Sequence, residues 1–542
     1  MKKTRKKLML VYVVLIALVL GVNHIMMSPV PVPQEQGSSA EFIADNAIAH
    51  IRQIAEKPRP VGSAYLGEVR DYIKSHIDEQ GLDVKEEVHS LYSDREGKQV
   101  KIHNLTTRIK GTDSTGDIIV MAHYDSYKES PGANDNGANV SIMLEMIELL
   151  QKSEPLKNDI VFFFTDGEEL GGLGSKEFVK QNVLDNVELV INLEARGSKG
   201  KSLLFETSPG NAGLMKEFLE ATSKPYAYSF ANDFTELMAL FGTYTDYTPF
   251  KEKGVAGLNL AYLGGSEVYD NKHDTIESLT PSSIQHNGFY GMELVNHFGN
   301  LNLDRVSEND GNANYFNLFG YHVVQYSQDL DVWISLLAIL SGLFALRVST
   351  RRNHSTIRKS LVWPLTILSA MLAIVVVVST LVLIIAQIQL GNPLFAVLGG
   401  ILAVMVLVTI GWFLVKNDKW KRYMQRMKAM TMWDVVNGSL ILLALFTVVS
   451  LFITNMNYLF AWPLLLSSMC IVIYVTSRPQ SVFGFIWSLT ISIPITLLLF
   501  GFFSFMVYLP GLLSYPIIFL GALIYAPTLW PSFMLRHSEE IH

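Results

Sequence analysis

Apolar residues fall into three regimes along the chain. Leu8–Met27 is a single apolar run, preceded by Lys2, Lys3, Arg5, Lys6 and Lys7. Its length approaches the roughly 20 residues that cross a bilayer, so residues 1–28 are expected as an uncleaved signal anchor. Pro29–Ser39 is rich in Pro, Ser, Gln and Gly, and residues 29–38 are expected as a linker. From Ser39 to Asp304 the runs are short and separated by polar stretches. Beyond Asp331 they lengthen again.

In the middle regime, Phe42, Ile43, Ala47, Ile48, Ile51 and Ile54 recur near helical spacing and predict a helix over Ser39–Glu56. A second helix is expected over Tyr65–Gln80, stopped at Gly81. Strands are expected at Asp83–Tyr92 and Val100–Ile109. Strands and helices then alternate: strand Asp117–Ala122, helix Asn136–Gln151, strand Asp159–Thr165, helix Leu173–Gln181 and strand Val187–Leu193. Leu203–Glu206 and Val255–Ala261 complete the strand set. Apolar strands alternating with helices predict an α/β domain, residues 39–305, around a mainly parallel mixed sheet flanked by helices. Ligands of such sheets gather beyond the carboxyl ends of the strands.

After a linker over residues 306–330, residues 331–542 are expected as an all-α membrane domain of about seven spans. These are Asp331–Leu346, Leu361–Leu390, Leu394–Val415, Met432–Thr454, Leu459–Thr476, Val482–Leu509 and Leu512–Leu535. Arg347–Lys359 holds five basic residues and Lys416–Lys428 holds six, whereas Gly391–Pro393 and Asn455–Asn457 hold none. Basic connections stay cytoplasmic, so every loop is satisfied if residues 29–330 face the opposite side. Ionisable groups within the spans are scarce, Asp434 being the main one, which favours an anchor or platform over a transporter.

Composition adds little beyond exclusions. Hydrophobic residues make up 49% of the 542 residues, and nearly all the acidic ones precede Asp331, so the net charge of -7 describes the middle domain and gives no sign of nucleic-acid binding. The single cysteine, Cys470, rules out an intrachain disulfide and a cysteine zinc site.

Candidate chemistry sits at the strand ends. His123 and Asp125, then Asp135, then Glu168 and Glu169, then Glu194 supply imidazole and carboxylate groups in an order that suits a two-zinc hydrolase. Asp135 lies in a turn-forming Gly/Asn stretch that can also cap the next helix. Of the adjacent Glu168 and Glu169, one can face a metal while the other faces an attacking water. Taken singly, each is an ordinary loop pair, cap or solvated surface; the ordered set on successive strand ends is what carries information.

Ala122-His-Tyr-Asp-Ser126, Pro131-Gly-Ala-Asn-Asp-Asn-Gly-Ala138 and Phe164-Thr-Asp-Gly-Glu-Glu-Leu-Gly171 resemble family 28 of the clan-MH zinc metallopeptidases. Ile191-Asn-Leu-Glu-Ala-Arg-Gly197, Leu204-Phe-Glu-Thr207, Gln285-His-Asn-Gly288 and His297-Phe-Gly-Asn300 resemble its membrane-bound branch, of endoplasmic reticulum metallopeptidase and vacuolar membrane protease type. The resemblance covers about Ser39–Asp304. It implies a zinc exopeptidase fold and two zinc ions per chain. His123 and Glu194 would hold one zinc, Glu169 the other, and Asp135 would bridge them. Glu168 would be the general base and Asp125 would orient His123. Arg196 would bind a substrate carboxylate or make a structural salt bridge. The family's last ligand is a histidine in a Tyr-His-x-x-x-Asp-Thr pattern, whereas this chain reads Tyr269-Asp-Asn-Lys-His-Asp-Thr275. Either Asp270 takes that place, or His273 binds after a loop shift, or the second site is weakened.

The expected function is a membrane-anchored zinc exopeptidase, an aminopeptidase on short peptides, working outside the cytoplasm of a bacterial cell membrane. A catalytically silent receptor or scaffold ectodomain is the rival reading, with Asp270 its supporting residue. A glutaminyl-cyclase-like acyltransferase would share the fold class but need one zinc only.

Overall fold

The computed structural model describes residues 2–26, 41–182, 184–239, 244–307, 311–352, 355–389, 417–453, 455–476, 482–506, 518–519 and 521–525. The expected span Leu394–Val415, most of Leu512–Leu535, the 29–38 linker and the Arg536–His542 tail lie outside these residues. The chain divides into two units, one of Val22–Gln328 and the other of Met1–Gly21 with Asp329–His542.

Helices of the first part of the chain are α1 (Lys2–Met26), α2 (Ala44–Ile54), α3 (Ala64–Glu79), α4 (Asn139–Lys152), α5 (Leu173–Gln181), α6 (Ala212–Ala221), α7 (Phe230–Ala239), α8 (Thr248–Glu252) and α9 (Pro281–Phe298). The strands are β1 (Val84–Ser93), β2 (Lys98–Ile109), β3 (Asp117–His123), β4 (Asp159–Thr165), β5 (Val187–Ala195), β6 (Lys199–Thr207), β7 (Gly257–Gly264), β8 (Ala313–Phe319) and β9 (His322–Ser327). The first seven strands form one sheet in the order β1-β2-β4-β3-β5-β7-β6. Its centre, β4-β3-β5-β7, is parallel, while β2 joins β4 and β6 joins β7 antiparallel. The α/β class and the mixed, mainly parallel sheet expected from the strand pattern are present.

The central strands are apolar on both faces because both faces are covered. In β3, Ile118, Val120 and Ala122 face the larger core, beside Ile51, Met143 and Leu294, while Ile119 and Met121 face a smaller core with Phe163, Phe178 and Phe250. Strand periodicity turns that alternation into two buried layers.

Helix α9 was not legible as a helix, because its polar residues are buried and interrupt any apolar stripe. Gln285 accepts from the Ala44 backbone N–H at 2.8 Å and donates to the Phe42 carbonyl at 2.7 Å. His286 Nδ1 accepts from the Ser202 backbone N–H at 3.1 Å, and Asn287 is bonded to Ser202 and Asn139. Pairing makes the burial of Gln285 and Asn287 tolerable, while His286 is paired through Nδ1 alone, its buried Nε2 having no hydrogen-bond partner. Residues 306–330, expected as a linker, instead hold the two-stranded ribbon β8-β9.

The second unit is helical. Among its described residues four helices are long and apolar enough to cross a membrane: Leu330–Arg352, Ile357–Val375, Met432–Phe452 and Tyr458–Thr476. Shorter apolar helices occupy Val14–Met26 and Thr490–Ser504. The basic segment after residue 416 is not an open loop, for Asp418–Lys428 is a helix. Asp434 is fully buried and accepts hydrogen bonds from Ser355 and from the backbone N–H of Thr431; it is the third residue of its helix, Met432–Ile453, and exchanges bonds with Thr431 as in a capping box.

Close packing of α9 on the chain entering α2 gives a direct test. A Cβ at Gly288 would lie 2.2 Å from the ring of buried Phe42. Gly288→Ala is expected to cost about 1–3 kcal/mol through overpacking. Thermal unfolding of the detergent-solubilised chain should show a lowered midpoint, partly restored by adding Phe42→Leu. An unchanged midpoint in Gly288→Ala would contradict this packing.

Candidate metal centre

Parallel pairing of β4, β3, β5 and β7 aligns the carboxyl ends of these strands along one edge. His123 is the last residue of β3, Glu194 lies next to the end of β5, and Glu168–Leu170 form a helical turn just after β4. His123 Nε2 is 3.2 Å from Asp135 Oδ1 and 3.8 Å from Glu194 Oε2. Three overlapping groups each bring ligand atoms within 4.8 Å of one another: His123, Asp135 and Glu194; His123, Glu168 and Glu169; and Asp135, Glu169 and Asp270. Six sequence-predicted residues therefore converge, with His123, Asp135 and Glu169 each shared between two groups.

Asp125 is fully buried behind this cluster. Its Oδ1 lies 3.5 Å from His123 Nδ1, which also faces the Asp125 carbonyl oxygen at 3.2 Å. The same carboxylate accepts the backbone N–H groups of Glu168 and Glu169, both at 3.2 Å. One side chain thus holds the imidazole and the Glu168–Glu169 turn together, a second task that spacing did not reveal.

Asp270 and His273, open alternatives in the sequence, are placed differently. Asp270 is part-buried with a left-handed φ of 53°, a conformation that Asp adopts more readily than most residues. Its Oδ1 is buried without a hydrogen-bond partner. His273 is exposed, its backbone N–H donating to Asn271, and it belongs to none of the three groups.

The electrostatics explain what the cluster requires. Burial pushes Asp135 up to about 7, against the pull of His123, with Asp270 and Glu194 raising it further. Burial likewise lifts Glu168 and Glu169 well above the usual carboxylate range, with the neighbouring carboxylates adding to the effect. Asp270 is raised by burial too. For His123, burial disfavours the charged form but Asp125 and Asp135 outweigh it and raise it. Packed carboxylates this close favour a neutralising cation. The oxygen-rich set with one imidazole and an unpartnered Asp270 oxygen fits zinc.

Three residues unassigned in the sequence build the frame. Arg59, between two prolines, is fully buried, and its guanidinium donates to the carbonyls of Tyr124 (2.7 Å), Gly132 (2.9 Å) and Pro131. The loop bearing Asp125 and Asp135 is therefore tied at three points. Gly132 must be glycine there, since with φ at 62° an added Cβ would meet the Asp135 carbonyl at 2.4 Å. Asp274 accepts the backbone N–H groups of Asn134 and Asp135, each at 2.9 Å. Asp246 is fully buried near the cluster, accepts from Thr165, and is pushed up to about 6 chiefly by burial. Its only advance signal was an acidic residue amid Tyr and Thr. Arg196, one residue beyond β5, has no carboxylate within 4.0 Å among the described residues, so no structural salt bridge occupies it there.

Arg59→Met leaves those buried carbonyls without donors, each loss being worth about 1–3 kcal/mol. Zinc affinity should fall roughly 10- to 100-fold, as happens when groups supporting metal ligands are removed. Zinc titration against a competing chelator measures this directly; wild-type affinity would remove Arg59 from the site's frame.

With this geometry in place, comparison with known proteins is informative. The sequence profile of peptidase family M28 matches residues 104–295. The vacuolar membrane protease of Candida tropicalis is 29% identical over 315 residues, covering 55% of this chain and 34% of its own. Endoplasmic reticulum metallopeptidase 1 of Homo sapiens is 27% identical over 245 residues, covering 44% of this chain and 27% of its own. The chain therefore spans about a third of the length of these relatives. They are fungal and mammalian, and give no support to the expectation of a bacterial cell membrane. Among solved structures, a zinc aminopeptidase from Bacillus subtilis superposes with a TM-score of 0.40 at 18% identity, over 50% of this chain and 99% of that one. A glutaminyl cyclase from Porphyromonas gingivalis superposes comparably, with 0.38 at 19% identity over 46% and 96%. Overlays at this level do not separate the two chemistries. Residues 104–295 thus match the model of peptidase family M28, and the relatives that resemble this chain over a wider stretch are membrane proteases.

Proposed function

We propose that this protein is a membrane-anchored, zinc-dependent exopeptidase acting as an aminopeptidase on short peptides, with its M28 domain on the non-cytoplasmic face. The observation that carries this reading is the set of three overlapping ligand groups at the carboxyl edge of the sheet, joined through His123 and Asp135. The overlapping groups would suit two zinc ions, His123 and Glu194 being the residues that would hold one and Glu169 and Asp270 those that would hold the other, with Asp135 available to both. When bound, such a pair lowers the pKa of water and polarises a carbonyl. The alternation of basic and uncharged connections supports the orientation.

The protein's own groups supply the rest. Glu168 projects from the turn fixed by Asp125 and lies within the ligand group of His123 and Glu169. It takes the proton of the attacking water and returns it to the leaving amine. Asp125 keeps His123 in one orientation and prevents the Glu168–Glu169 turn from swinging away. Arg59 and Asp274 fix the Asp135 loop, so the centre is assembled before substrate arrives.

Glu168→Gln should retain zinc and lose about 10²- to 10⁴-fold in turnover, the usual contribution of a general base. Near-native turnover of that variant on aminoacyl amides would sink the mechanism. Metal content addresses the altered ligand. Wild type and His273→Ala should each hold two zincs per chain, and Asp270→Ala one, as read by elemental analysis of purified protein. One zinc or none in wild type, with no peptide turnover after zinc is added back, would favour the silent ectodomain. One zinc with cyclisation of an N-terminal glutamine would favour the acyltransferase.

A further inference from the structure

We propose that Arg196 selects substrates carrying a carboxylate close to the scissile bond, either the terminal carboxylate of a dipeptide or an acidic side chain. This deepens the exopeptidase reading and rests on it. Arg196 follows β5 by one residue and stands two residues after Glu194, its backbone N–H still donating to the Tyr262 carbonyl of the neighbouring strand at 3.0 Å. Its guanidinium is held rather than free: Nη2 donates to the Tyr244 carbonyl at 3.1 Å, Nη1 reaches the Tyr269 hydroxyl at 3.4 Å, and the group lies 5.8 Å from the centre of the Tyr269 ring. Tyr269 directly precedes Asp270, so these contacts place the cation at the edge of the cluster.

A guanidinium has five donors, and these contacts use two. The group is part-buried and meets no carboxylate within salt-bridge distance among the described residues. A cation partly removed from water without an anion is costly, and a bidentate carboxylate repays that cost. Glu194, Glu168 and Asp135 act on this cation only from beyond salt-bridge distance, and in the proposed centre Glu194 and Asp135 would be engaged by zinc while Glu168 serves the attacking water. Other cations border the same region. Arg95 donates to the Glu169 carbonyl at 2.7 Å, and Lys176 donates to the Gly171 carbonyl at 2.8 Å while lying 4.1 Å over the Tyr244 ring. The carboxylate of a short peptide would meet a positive border with one fixed, unfilled guanidinium.

The test uses the zinc-loaded full chain in detergent. Ala-Ala is compared with Ala-Ala-amide, and Glu-p-nitroanilide with Gln-p-nitroanilide. Wild type should prefer the carboxylate in one pair by roughly 10- to 100-fold in kcat/KM, as expected for a charge-assisted bidentate contact. Preference in the first pair identifies the terminal carboxylate, and preference in the second an acidic side chain. Arg196→Gln should abolish that preference with zinc content and thermal midpoint unchanged, and Arg196→Lys should retain part of it. The same ratio is read by calorimetric binding of Ala-Ala and Ala-Ala-amide, and of Glu-amide and Gln-amide, to the Glu168→Gln protein, where turnover plays no part. Ratios near one in wild type, or ratios that survive in Arg196→Gln, overturn the proposal. A variant that loses stability while keeping the ratio makes Arg196 a strut between the Tyr244 and Tyr269 loops. Absent turnover of every peptide tells against the exopeptidase reading, and the binding ratio still decides the role of Arg196.

Discussion

Mutual repulsion among buried carboxylates is the constraint on which this domain is organised. Asp135, Glu168, Glu169, Glu194 and Asp270 are gathered around a single imidazole, and burial raises the proton affinity of four of them. A chain left to itself would separate such groups into water. Here they are held together by a backbone that cannot relax, and the unfavourable field they create is what makes the position attractive to divalent cations.

Holding them requires a second tier of interactions that carries no zinc chemistry of its own. The parallel sheet sets strand ends side by side, but the loops beyond would be mobile without ties. Arg59 binds three carbonyls of one loop, Asp274 accepts two backbone N–H groups of the same loop, and Asp125 joins the His123 strand to the Glu168 turn. Each tie pairs a buried charge with several backbone partners, which is how a buried charge becomes tolerable. Asp270 follows the same logic: its backbone is left-handed, a conformation Asp is among the few side chains to accept, and its carboxylate joins Asp135 and Glu169 in one ligand group.

The membrane half follows different physics. Its helices are apolar over lengths suited to a bilayer, and its one prominent acid, Asp434, is used as a cap. The groups that would carry protons or ions are few there, whereas the M28 domain concentrates them. Ionisable side chains are therefore concentrated before Asp331 and sparse after it.

Much of this was written in local sequence. Strand alternation of Ile118 to Ala122, the helical spacing of Ile48 and Ile51, the long runs after Asp331 and the order of His123, Asp135, Glu168 and Glu194 each follow from short-range periodicity or from side-chain chemistry that no folding can alter. Helix α9 and the β8-β9 ribbon were not legible, because Gln285, His286 and Asn287 are buried by partners far away in sequence. The place of Asp270 rather than His273 in the cluster, the three-point hold of Arg59 and the lack, among the described residues, of a carboxylate within salt-bridge distance of Arg196 are likewise long-range facts. Residue type and spacing determine which groups a strand end can offer; only the packing of distant segments decides which of them meet, how deeply they are buried and which charge is left to be answered by a ligand.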